Sequence, residues 1–427
     1  MLFIPRGQVV MVAGLHIQMA RVIALLGMGR VIMSQGEKPV KRNSLDRLFF
    51  LWAISFCVIF MLRFRTSGAV INQLGVLYDT LATYCILRFL IRDEGGVCRA
   101  IRVLALICCM VAVFMVMEKR SGHNPLAVLG GVREMSEVRN GSVRAQGPFG
   151  HAILAGVFGA TAIPLFVGLW VRSRKDRAYS VVGIVAALAI GVTCSSSTPL
   201  MAVAGAIGAF CLWPLRSRMQ LVRRAIVATL VGLELVMKAD VWWLIARVDV
   251  AGGSTGWDRS ALIDNAIKHF WEWWLLGTNN NANWGYSMYD LCVQYVEQAV
   301  DGGLLTLVLF LSIITLCFKL VGRARKAAVG NFRKEFFVWA VGATLFAHVC
   351  SFFGSSYWDQ NIVSWYTMLA IISAVAASIL PNAGHSQGKK GLVPQPEKSV
   401  SSEESTVLVG ESLYAARSPF HPRSACS

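Results

Sequence analysis

Apolar runs close to the ~20 residues that a helix needs to cross a bilayer recur along most of this chain, and that feature leaves few folds open. Of 427 residues, 55% are hydrophobic and only 15% charged, so the expected class is all-α: a polytopic membrane helical bundle. A net charge of +17 would point to nucleic acid in a soluble protein. Here the basic residues gather in short loops at the ends of apolar runs, the positive-inside pattern of membrane proteins, and no nucleic-acid partner is expected. The 11 cysteines fall mostly inside apolar runs with no CxxC spacing, so they read as small buried hydrophobes rather than a disulfide framework or a zinc site. The first run is broken by His16, Arg21 and Arg30 and has no convincing cleavage site, so no cleavable signal peptide is expected.

Placing the basic clusters on one side predicts about eleven spans. They run from Val9–Met33, tilted or interfacial because of its arginines, through Leu48–Leu62, Val70–Leu90, Ile101–Met117, Phe149–Val171, Tyr179–Thr193, Leu200–Leu215 and Ala225–Met237. Gly303–Leu320, Phe336–Phe353 and Ile362–Leu380 complete the set. Residues 1–380 then form one membrane domain with a large outer loop at 238–298. Residues 381–427, rich in Ser, Gly, Lys, Glu and Pro, read as a disordered cytoplasmic tail. One basic group defies the bias: Lys119, Arg120, Arg133, Arg139 and Arg144 fall in an outer loop, where they call for an anionic partner.

Three constellations stand out. In the first, Arg139 and Arg144 precede the turn GPFGH ending at His151, where an apolar helix opens with its unpaired N–H groups beside Arg144. That arrangement suits a phosphate, while lipid headgroups or an ion pair with Glu134 or Glu137 would occupy the arginine equally well. In the second, Arg259 stands near the start of a helix carrying Asp264, Lys268 and His269. A cation there opposes the helix dipole unless an anion lies between them. The tryptophans Trp271, Trp273 and Trp274 read first as interface anchors. In the third, Asp290, Gln294, Glu297, Gln298 and Asp301 recur near 3.6 residues, which predicts one acidic helix face. That face is either merely solvated or the source of a general base.

An outer-loop arginine ahead of a G-x-F-x-H turn, the serine-rich hairpin SSSTPLMAVAGAIGAF, a large late loop and a short helix ending in GGLLTLVLFL together resemble the O-antigen ligase and O-antigen polymerase family. The resemblance runs from about Glu118 to Leu320. It implies a GT-C-like membrane glycosyltransferase that transfers or polymerises glycans carried on undecaprenyl pyrophosphate, at the outer face of the bacterial inner membrane. By position, Arg144 and Arg259 match the family's pyrophosphate-holding arginines, with Arg139 and His151 beside the first. The family's usual histidine ahead of the late helix is replaced by Cys292, which leaves Asp290, Glu297 or His269 to act as base. The acceptor would be a growing glycan or lipid A, with membrane lipids around it. No metal-ligand cluster is visible and no cofactor is expected. A transporter or flippase of the same lipid-linked glycan is the rival expectation, with Asp79 and Glu234 its only acidic candidates within spans; a non-catalytic assembly subunit is a third.

Overall fold

Local capping sets where most long helices begin. A computed structural model describes residues 1–12, 15–34, 42–247 and 256–380; the expected tail at 381–427 and residues 248–255 of the outer loop lie outside these described residues. An antiparallel hairpin of β1 (Val9–Val12) and β2 (Leu15–Gln18) leads into α1 (Met19–Met33). Asn43 and Asp46 form a reciprocal capping box at the start of α2 (Ser44–Phe64). Thr66 caps α3 (Ser67–Leu90), and Asp93 caps α4 (Glu94–Ser121) by accepting the Gly96 N–H at 2.7 Å. A short hairpin, β3 (Glu137–Arg139) with β4 (Ser142–Arg144), precedes α5 (Ala152–Arg172), α6 (Arg177–Thr193), α7 (Ser197–Cys211) and α8 (Met219–Val236). The large loop holds α9 (Leu244–Arg247), α10 (Gly256–Lys268) and α11 (Phe270–Trp273); α12 (Gln294–Ala327), α13 (Phe332–Ser351) and α14 (Gln360–Ile379) follow.

Among the described residues, seven helices, α2 to α6, α12 and α14, are long and apolar enough to cross a membrane, and up to eight if α7 and α8 count as one bent span. The protein is therefore a multi-pass helical membrane protein with fewer qualifying helices than the eleven runs predict. The differences have identifiable causes. The first run divides into a hairpin and a 15-residue helix, α1, whose length of about 22 Å falls short of the hydrocarbon core. Between α7 and α8 the axis turns by 71° at a 3-10 segment containing Pro214, so two expected spans become one broken pair. Helix α13 carries Arg333, Lys334, Glu335 and His348, too polar a set to qualify on composition, yet it packs against α5, α7 and α12 within the bundle.

At the centre stands α5, almost wholly buried, where small residues allow close approach. A methyl added to Gly159 would sit 3.0 Å from the Ala187 carbonyl of α6. Several charges within the bundle are paired, as lipid favours. Asp46 meets Arg88 at 2.8 Å and Tyr84 Oη at 2.7 Å, and Arg21 meets Asp79 at 2.8 Å. At one end of the bundle, Glu94 binds Arg172, and Glu335 bridges Arg325 and Arg216. The opposite, loop-bearing end gathers the β3–β4 hairpin, the α6–α7 turn, α10 and the start of α14.

The large loop is tied to the bundle at its own end. Arg63 at the end of α2 donates to Val300 O at 2.9 Å and pairs with Asp301 at 3.3 Å. Gly303, at φ 68° and ψ −178°, kinks α12 and lets Leu304 N–H reach Trp274 O at 2.8 Å. The indole N–H of buried Trp273 donates to Ala266 O at 2.6 Å, whereas Trp271 is 78% exposed, the disposition of an interface anchor.

Candidate functional site

Arg144 ends β4 in a loop held rigidly from beneath. Glu118, fully buried at the end of α4, accepts the N–H groups of Gln146 at 3.1 Å and Gly147 at 2.7 Å, and the Ser136 hydroxyl at 2.9 Å. Lys119 donates to Ser142 Oγ at 2.8 Å and Ser195 Oγ at 2.7 Å, and also to Val143 O, stitching the hairpin to the α6–α7 turn. From the far side, the start of α14 clamps the GPFGH turn: Asp359 accepts Gly150 N–H at 2.6 Å and Gln360 donates to Pro148 O at 2.6 Å.

Arg139 and Arg144 of the hairpin meet the distant Arg259 at one cavity of about 440 Å³, which Ser195, Ser196 and Ser197 also line. Arg144 and Arg259 are buried, at 4% and 5% exposure. Arg144 Nη1 meets Glu137 at 2.8 Å, so the ion pair that the sequence allows is present, and Arg259 Nη2 donates to Thr198 Oγ1 at 3.0 Å. The buried Nε–H of each has no hydrogen-bond partner among the described residues. Buried donors are rarely left so, and two such guanidinium groups lining one hollow are what an anion would satisfy. Burial lowers the Arg259 pKa, with the neighbouring Cys292 and Asp258 opposing and Arg139 adding to the fall.

The 15-residue α7 begins at the same cavity, and its N-cap residue Ser196 makes no side-chain cap hydrogen bond. The positive end of its dipole and the serine hydroxyls add to the arginines. Below them the walls turn apolar, with Ile153 and Ile163 of α5, Leu188 and Val192 of α6, and Leu200 and Val203 of α7. Ile153 and Ile163 are ten residues apart on one helix, a descent of about 15 Å into the span. The hollow is cationic at the top and greasy beneath.

His151 caps α5, its Nδ1 accepting Ile153 N–H at 3.1 Å, and its Nε2 lies 3.7 Å from Glu137. Burial, and then the Arg144 charge, push its pKa below the ordinary value, so the ring is neutral at pH 7 with its proton on Nε2. Unfolded chain therefore takes up the proton first as pH falls below about 6.5, and the stability that depends on neutral His151 is lost from there down through the depressed folded value. Melting temperature should rise with pH through that window in the wild type, and His151→Gln should flatten the rise when the two are melted side by side between pH 4.5 and 7.5.

The other sequence candidates are dispersed. Asp290 does not share a helix face with Glu297 and Asp301, because α12 begins only at Gln294 and Asp290 lies exposed in the preceding turn. Its charge is nevertheless felt by both His151 and Cys292, the latter adjoining Arg259 of the cavity wall, although Asp290 does not itself line the cavity. Cys292 adjoins Arg259, and burial pushes its thiol up to about 11, so it is a neutral side chain and no substitute for a histidine base. Glu297 lines a separate cavity, and Asp301 is taken by Arg63. His269 belongs to a cluster of its own, bonded to Glu272 at 2.6 Å and stacked on Trp284, whose indole donates to Glu272 and lowers its pKa. The serines of the α6–α7 turn carry no charge and read in sequence only as an outer hairpin. Their signal was position, at the head of a small-residue helix. No protein-family model and no curated protein matches this sequence.

Proposed function

We propose that the chain is a glycosyltransferase of the O-antigen ligase and polymerase type, acting on undecaprenyl-pyrophosphate-linked glycans at the outer face of the bacterial inner membrane. What supports the reading is one observation: two buried arginines with unpartnered Nε–H groups meet the N-terminus of α7 above an apolar channel. A polyprenyl pyrophosphate has the matching form, a dianionic head on a hydrocarbon chain, and the volume lies within the range typical of ligand sites. Positive-inside bias puts this end of the bundle outside.

In this reading the acceptor hydroxyl attacks the anomeric carbon as the bond to the pyrophosphate oxygen breaks, with inversion. Arg144, Arg259 and the α7 N–H groups stabilise the charge that gathers on the leaving group. Arg139 and the Nε2–H of neutral His151 flank it. Asp290, whose charge reaches His151 and Cys292, takes the acceptor proton, while Glu297 and His269 stand outside. Purified protein in proteoliposomes, supplied with a defined lipid-linked donor and a glycan or lipid A acceptor, should form the glycosidic product without a nucleotide sugar. Relocation of the donor across the bilayer without product would make the chain a transporter instead.

A further inference from the structure

A second cavity, of about 240 Å³, lies between α2, α3, α12 and α14 and is walled by Trp52, Phe56, Tyr357, Trp358, Trp365 and Tyr366. Val76, at 42% exposure on α3, and Trp358, at 45%, mark where this aromatic chamber reaches the surface of the bundle. Gln73 and Thr80 of α3 line it, and α12 contributes three further polar side chains: Gln294, Glu297 and Gln298. Two are occupied with neutral partners. Gln298 Oε1 accepts the Trp52 indole N–H at 2.8 Å, and Gln294 Oε1 accepts the Tyr357 N–H.

Glu297 is different. Its carboxylate receives only the Gln294 amide N–H, at 2.6 Å, and among the described residues no Lys, Arg or His lies within ion-pair distance of it. The neighbouring acid, Asp301, has Arg63, and Asp46, Asp79, Glu94 and Glu335 elsewhere in the bundle each have a basic partner, while buried Glu118, which has none among the described residues, is satisfied by two backbone N–H groups and the Ser136 hydroxyl. Carboxylates withdrawn from water are ordinarily paired. A carboxylate set among several aromatic rings is also the combination that receives an organic cation, since ring faces attract an ammonium group and the acid neutralises it. The chamber is smaller than the ~300 Å³ at which drug-sized ligand sites begin, so it excludes a saccharide chain and admits a compact headgroup.

We propose that this chamber binds a small organic ammonium group, held by the Glu297 carboxylate and the faces of the surrounding tryptophans and tyrosines. The ammonium is supplied either by a zwitterionic lipid headgroup or by a free amine; the site is separate from the arginine cavity and does not depend on the reaction proposed there.

Titrating the full-length protein in detergent with choline, while following tryptophan fluorescence, should give a saturable change. The uncharged analogue 3,3-dimethylbutan-1-ol, of the same shape, should bind at least tenfold more weakly. Glu297→Gln should weaken choline by tenfold or more while the protein keeps its wild-type melting curve and monodisperse elution. Equal binding of choline and its neutral analogue, or no saturable change with either, would overturn the proposal on the wild-type protein alone, whatever the variant does. Native mass spectrometry then separates the sources. Retention of phosphatidylethanolamine over phosphatidylglycerol that is lost in Glu297→Gln identifies a lipid headgroup, and choline binding without lipid preference identifies a free amine.

Discussion

Replacing Arg259 with Ala should lower the rate of glycan transfer about a hundredfold, and Arg144→Ala should do nearly the same. Each guanidinium is buried in the cavity wall, so in the proposed reaction its charge would act across little water and need no reorganisation as the pyrophosphate departs. Removing one such contact costs roughly 3 kcal/mol of transition-state stabilisation, which is about two powers of ten. The loss should fall on kcat more than on KM, because the charge grows as the bond breaks. Lysine at either position should recover only part of the rate: it keeps the charge but cannot present Nε–H and Nη–H together to two phosphate oxygens. Initial rates in membranes carrying a defined donor check this, and wild-type rates from both alanine variants would remove the arginines from the mechanism.

Glu118→Ala should destabilise the protein by about 3 kcal/mol or more and abolish transfer although Glu118 does not line the arginine cavity. The buried carboxylate satisfies the Gln146 and Gly147 amides and the Ser136 hydroxyl, which flank Arg144 on both sides in the loop that carries it. Its removal leaves buried donors without acceptors, at about 1 to 3 kcal/mol each, and adds a small void. Glu118→Gln retains one acceptor oxygen and fills the void, so it should fall between the two. Thermal unfolding in detergent gives the order wild type, Gln, Ala. An alanine variant as stable as wild type would show that the loop holds itself.

How much of this was legible beforehand depends on the kind of signal. The apolar runs found the seven helices among the described residues that are long and apolar enough to span, because bilayer thickness imposes a length on them that neighbours scarcely alter. They overcounted where length alone misleads: the run with His16, Arg21 and Arg30 folds as hairpin and short helix, and the Trp213–Pro214 step breaks a pair of helices that composition would keep separate. Spacing also misled at Asp290, since a 3.6-residue recurrence requires the helix to have begun, and it begins four residues later.

The arginines were legible as misplaced charges, one set against topology and one against a helix dipole. That Arg144 and Arg259 share a cavity is a tertiary fact, made by the α6–α7 turn, where Thr198 holds Arg259 and Ser195 is bonded to the lysine beneath the β3–β4 hairpin. Uncharged serines and a buried glutamate do not announce such work in sequence. Nor does Glu297 announce its chamber, because its aromatic walls come from α2, the turn before α14 and α14 itself, hundreds of residues apart in part.

In the proposed function the arginine cavity holds the pyrophosphate of a polyprenyl carrier. Binding of undecaprenyl pyrophosphate and of uncharged undecaprenol to the purified protein, compared in the wild type and in the Arg144→Ala/Arg259→Ala double variant, tests it most directly. The wild type should prefer the pyrophosphate by at least a hundredfold, and the double variant should lose the preference while still binding the hydrocarbon chain. Equal affinity of the wild type for both lipids, or an undiminished preference in the double variant, would contradict it.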